Sequence, residues 1–186
     1  MRKTSSGIIA AIALALTAPA LAADPAAQKV ELRKMCDEAL AALYKAKPAA
    51  KAEVQKAAGY GCFSSFGISF FVGGAGGRGL VHDNATKKTT FMNMGQATGG
   101  LDFGVKDYRE ILIFKDQATL AKFIDKGWEF GGQGGAQAAA GGKGAKAEVA
   151  EVTSGPIVVY PMTKTGLAVG IAAGARKYWK DDDLNK

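Results

Sequence analysis

The chain has 186 residues, with 24 basic and 17 acidic side chains, a single histidine and two cysteines. The net charge of +7 favours anionic partners. No dense Lys/Arg block with interleaved aromatics is present, which argues against nucleic acid.

Residues 1–22 read as a leader. In "MRKTSSGIIAAIALALTAPALAA", Arg2 and Lys3 precede an apolar run from Ile8 to Leu16, and Ala20-Leu21-Ala22 fits a small-residue cleavage site. The run is short of the roughly 20 residues that span a bilayer. The expected mature protein is exported and periplasmic. Removing Arg2 and Lys3 from the 24 basic residues leaves 22 against 17 acidic. About 164 of the 186 residues then remain, enough for one domain with a real core.

The segment 23–58 is helical in pattern. Leu32, Cys36, Leu40 and Leu43 recur at steps of four, four and three, drawing one apolar stripe, which Met35 and Ala39 widen. Pro48 opens a second short helix through Glu53 and Val54, with Gly59 as its C-cap. Lys29, Arg33, Lys34, Lys45, Lys47, Lys51 and Lys56 outnumber Glu31, Asp37, Glu38 and Glu53 here. A lysine-rich amphipathic helix can lie in a membrane interface. The plain alternative is a surface helix whose stripe packs on the core.

From 59 to 186 the texture is short apolar runs, turns and abundant glycine, which predicts a β-rich core. "GYGCFSSFGISFFVGG" reads as extended chain, "HDNATKK" as a turn with His82 in solvent, "TTFMNM" as the next strand, and "GGLDFGVKDYREILIF" as one or two more. A helix over 116–126 is expected from Asp116 as N-cap, the shared face of Leu120, Phe123 and Ile124, and the stop at Gly127. Trp128 to Phe130 reads as strand, and 131–147 as a loop or as thin strands. "PIVVYPMTKTGLAVGIAAGARKYWK" predicts a hairpin, Ile157 to Met162 out and Gly166 to Lys177 back. The acidic tail "DDDLNK" is expected in solvent.

Sites for chemistry are hard to find. Gly74, Gly76 and Gly79 in "FFVGGAGGRGLVHD" match G-x-G-x-x-G, but a dinucleotide loop must open a helix, and this one runs into a strand and turn. No nucleotide, cofactor or metal is expected. His82 could pair with Ser64 or Ser65, yet no nucleophile elbow accompanies it. One histidine and two distant cysteines build no zinc site. Cys36 and Cys62 fit either a disulfide or two separate buried thiols. What stands out instead is bare strand faces: Gly166, Ala168, Gly170, Ala172 and Gly174 share one side of an alternating run, and Gly73, Ala75, Gly77 and Gly79 another.

Three ordered blocks, "AAGYGCFSSFGISFFVGGAGGRGLV", "ILIFKDQATLAKFIDKGWEFG" and "GPIVVYPMTKTGLAVGIAAGARKYWKDDDLN", resemble the SYLF lipid-binding domain family, in its bacterial, exported, Ysc84-related type. The resemblance implies an α+β domain in which N-terminal amphipathic helices pack on a curved, Gly-rich, mainly antiparallel, barrel-like sheet. It also implies lipid binding, so anionic phospholipid surfaces are the expected partner and Lys29, Arg33, Lys34, Lys45, Lys47, Lys51 and Arg78 the candidate contacts. Two other functions stay open at this point: a carrier or sensor enclosing an apolar ligand near Gly170 and Gly174, and a structural envelope protein without a ligand.

Overall fold

The computed structural model describes residues 24–65, 74–97, 108–130, 152–163, 166–167 and 175–186. The leader segment, the 131–147 stretch and the small-residue face from Ala168 to Gly174 lie outside the described residues.

Helix α1 spans Pro25–Ala46 and α2 spans Ala49–Lys56. The Asp24 carboxylate caps α1 by accepting from the Ala26 N–H at 3.0 Å. Pro48 sits at the N-cap of α2, and the helix stops at Ala57; Gly59, expected as the cap, instead begins the first strand. Helix α3 spans Gln117–Lys126, capped by Asp116, whose carboxylate accepts from the Thr119 N–H at 2.8 Å. It stops at Gly127, whose φ of +72° is open to glycine at little strain.

The strands are β1 (Gly59–Ser64), β2 (Gly74–Asp83), β3 (Thr89–Ala97), β4 (Tyr108–Phe114), β5 (Trp128–Phe130), β6 (Val152–Ser154), β7 (Ile157–Thr163), β8 (Gly166–Leu167) and β9 (Ala175–Lys180). All described pairings are antiparallel, in the order β5-β9-β3-β2-β1-β4-β7-β6, with β8 on β7. The expected C-terminal hairpin is only partly right. Leu167 does pair with Met162, but Ala175 to Lys180 crosses the molecule to pair with β3 and β5.

The sheet curls strongly. Strands β9 and β4 are four places apart, about 19 Å in a flat sheet. Yet the Tyr178 hydroxyl on β9 donates to Glu110 Oε1 on β4, and Arg176 Nη1 lies 3.2 Å from Glu110 Oε2. The face carrying these residues is therefore concave. It is filled by Phe63, Phe114, Phe123 and Tyr178, whose ring centroids lie 4.8 to 6.2 Å apart. Glycine makes room for this. A Cβ at Gly79 would collide with the Phe63 ring and the Cys62 carbonyl oxygen, and one at Gly77 with the Ser64 carbonyl oxygen and the Met94 methyl. The glycines are bare where β2 lines the inside of the curl.

Glu110 is fully buried, so its charge must be matched. The Tyr108 hydroxyl donates to Oε2 at 2.7 Å, and the Arg176 guanidinium lies 4.9 Å from the Tyr108 ring centre. Burial, then the Glu110 charge, hold both tyrosine hydroxyls well above their usual pKa, keeping them as donors. Burial disfavours the Arg176 charge, but Glu110 and the two tyrosines outweigh it and hold its pKa up.

The convex face carries α1. The alternate residues Cys62, Leu80, Phe91, Ile111 and Tyr160 meet Cys36, Ala39, Leu40 and Leu43 of the helix in one core cluster. A disulfide joins Cys36 to Cys62, resolving the sequence's open choice. The tail is docked in part: Asp182, Asp183 and Lys186 are exposed as expected, and the other three positions pack on the domain. Asp181 and Leu184 are buried, and the Asn185 side chain accepts from the Phe91 N–H at 2.9 Å and donates to its carbonyl at 2.7 Å. His82 is half-buried on β2, its ring centre 5.2 Å from that of Tyr60, and is not a solvated turn residue.

Two outcomes test this packing. Loss of the bridge in a Cys36→Ala, Cys62→Ala double variant should lower stability by about 3.5 kcal/mol, the loop-closure value for its 26-residue separation, in denaturant titration. Glu110→Ala strands the Arg176 charge and should cost ~3 to 5 kcal/mol, against ~1.5 to 3 kcal/mol for Tyr178→Phe, which removes one charge-assisted hydrogen bond. Equal losses in the two variants would contradict the assigned ion pair.

Candidate functional site

The cations expected from the sequence divide into two groups along α1, because the helix lies across the sheet. Near its first turns, the Lys29 ammonium and the Arg33 guanidinium lie 5.9 and 5.5 Å from the centre of the buried Phe91 ring on β3. Arg78, on the neighbouring β2, reaches the same region. Its Nη1 donates to the Gln28 side-chain oxygen of α1, and its Nε lies 3.7 Å from Asp181. Its side chain is nonetheless 49% exposed. Lys29, Arg33 and Arg78 thus gather at one end of the convex face.

Lys34 is exposed on α1. Lys45 and Lys51 are exposed beside the α1 to α2 turn, at the far end from Lys29. Lys47 is differently placed. Its ammonium donates to the Tyr160 hydroxyl at 2.6 Å and pairs with Glu53 at 3.3 Å, while Tyr160 donates to Glu53 at 2.7 Å. It ties the helix turn to β7.

The apolar stripe of α1 is the buried side of the helix. The helix can offer a partner only its outer, charged side while docked. Glu38 adds a pin by pairing with Arg109 of β4 at 3.3 Å.

Register rules out the serine and histidine pairing. Ser64 lies opposite Arg78 on β2, and His82 is four residues farther along that strand, about 13 Å away. Burial first, and then Lys87, lower the His82 pKa. Among the described residues, no three of His, Cys, Asp and Glu group as a metal site would require. No described helix is long and apolar enough to cross a membrane. Among the described residues the arrangement offers positive charge on a docked helix and on the sheet beside it.

Residues 95–186 match the family model described as Ysc84, Las17-binding protein actin regulator. The chain carries a Ysc84, or SYLF, family domain. The family is associated with lipid binding or actin regulation and is not a known enzyme family. The match covers two of the three sequence blocks that suggested the resemblance, those around α3 and at the C-terminus. The chain is also 31% identical over 158 residues to Beta cell expansion factor A of Aeromonas veronii, an alignment covering 85% of this chain. It spans 59% of that protein's length.

Sequence pattern missed the Glu110 cluster and the exposure of Trp179. The signal for the first was present. In "YREILIF", Glu110 alternates with Leu112 and Phe114, so a carboxylate stands on a buried face and demands a partner.

Proposed function

We propose that this protein is a non-enzymatic lipid-binding protein that acts after export, in the periplasm, as a peripheral partner of anionic phospholipid membranes. The observation that carries the reading is the gathering of Lys29, Arg33 and Arg78 at one end of the convex face. Lys34, Lys45 and Lys51 extend the charge along the helices. A Debye length near 8 Å at physiological salt lets such cations act together only on a surface that approaches closely. The family's association with lipid supports this reading. The disulfide suits an oxidising compartment, in keeping with the leader-like N-terminus.

Binding by this route is electrostatic at the helices. The stripe that would insert is occupied by the sheet. The described concave side is packed with aromatic side chains; the carrier alternative concerns Gly170 and Gly174, which lie outside the described residues.

Flotation with liposomes tests the proposal. The protein should rise with anionic vesicles and not with neutral ones, and should dissociate at about 0.5 M salt as surface charges are screened. Charge reversal at Lys29, Arg33 and Lys34 should abolish flotation. Negligible binding to both vesicle types, unchanged by that reversal, would contradict it.

A further inference from the structure

With the α1 stripe buried, any apolar contact with lipid has to come from elsewhere on the molecule. Among the described residues two large apolar side chains stand open to solvent, Val30 on α1 at 62% and Trp179 on β9 at 44%. Trp179 is the one on the sheet. Its register partner on β3 is Asn93, and Asn93 in turn pairs with Arg78 on β2. The three form a rank across the convex face, so the indole and the exposed guanidinium rise from backbones about 10 Å apart. The same rank lies two residues along β3 from Phe91, over which Lys29 and Arg33 sit.

The indole has a seat. A Cβ at Gly95 would stand 3.3 and 3.4 Å from two Trp179 ring carbons, so the missing side chain lets the ring rest against the strand. An indole held this way has little rotamer freedom left to lose on binding. Its apolar body and single N–H suit the boundary between water and hydrocarbon.

The surrounding charge fits an anionic layer. Lys177, two residues before Trp179 and on the same face of β9, is exposed, and Arg78 stands at the end of the rank; the exposed Lys180 lies on the opposite face, across from Met92. Most of the nearby acids are paired. Asp181 accepts from the N–H groups of Asp183 and Leu184 and lies 3.7 Å from Arg78, Glu129 pairs with Lys177 at 2.7 Å, and Asp183 pairs with Lys186 at 2.7 Å, while Asp182 is exposed.

We infer that the β3 to β9 end of the convex face is the surface that meets an anionic phospholipid membrane, with Trp179 as its interfacial anchor. The inference rests on the lipid-binding reading and adds an apolar contact on the sheet, beyond the buried stripe of α1. Arg78, Lys29 and Arg33 provide attraction, and Trp179 provides depth.

Trp128 and Trp179 are the two tryptophans of the chain, so Trp128→Phe leaves Trp179 as sole reporter. On vesicles of phosphatidylglycerol and phosphatidylcholine its emission should shift to the blue and be quenched by brominated acyl chains. In the otherwise native chain, Trp179→Ala should weaken partition onto these vesicles about tenfold, the loss of roughly half an indole's burial, with a cooperative unfolding transition retained. Flotation that persists with no change in Trp179 emission, and that is equal in Trp179→Ala, would overturn the anchor and leave the lipid-binding reading standing. Absence of flotation in the unmodified protein would remove both. Should Trp128→Phe fail to fold, the Trp179→Ala comparison decides alone.

Discussion

The docking of α1 on the convex face is the constraint from which the functional surface follows. A helix with Leu40 and Leu43 on one side has to bury that side somewhere, and burying a leucine is worth about 1.5 to 3 kcal/mol. Here the sheet takes it, and the Cys36 to Cys62 bridge fixes the helix in register with β1. Everything the helix shows outward is then set by its 3.6-residue period. Lys34 and Lys45 project away from the sheet, while Lys29 and Arg33 fold back over Phe91. An amphipathic helix that could lie in a membrane is used instead as the structural cover of a sheet.

That use depends on a convex face, and the convexity depends on what closes the other side. Glu110 draws Tyr178 and Arg176 across four strand positions, and the aromatic side chains of β1, β4 and α3 fill the trough beneath them. A buried ion pair of this kind adds little net stability by itself, because desolvation offsets most of its attraction. Its effect is on geometry. A carboxylate with no access to water has few arrangements that satisfy it, and this one requires a curled sheet. Gly77 and Gly79 are the complementary requirement, since side chains there would occupy the space that Phe63 and Met94 fill.

Much of this was legible in the sequence. The stripe at Leu32, Cys36, Leu40 and Leu43 and the caps of α3 are local patterns, and local patterns persist when tertiary contacts form. The α+β class and the curved antiparallel sheet likewise match the expectation. What failed was long-range. Among the described residues, the expected return strand, Gly166 to Lys177, folds back on β7 only at its start, although a hairpin is the nearest partner; from Ala175 the chain pairs with β3, about 80 residues earlier. The acidic composition of the tail pointed to solvent, whereas Leu184 and the Asn185 amide find partners at Phe91. The candidate cations were legible as residue types only. Which of them gather, Lys29 and Arg33 with Arg78, and which is spent on structure, Lys47 with Tyr160 and Glu53, depends on where α1 crosses the strands.

The central claim is that the membrane is met by a docked α1 and the sheet beside it, with no release of the helix. Amide hydrogen exchange of the disulfide-bonded protein, followed with and without anionic vesicles, tests this most directly. The account predicts that amides 32–43 stay as slowly exchanging on the vesicles as in free solution. Accelerated exchange there on membrane binding would show the stripe leaving the sheet to insert, and would contradict it.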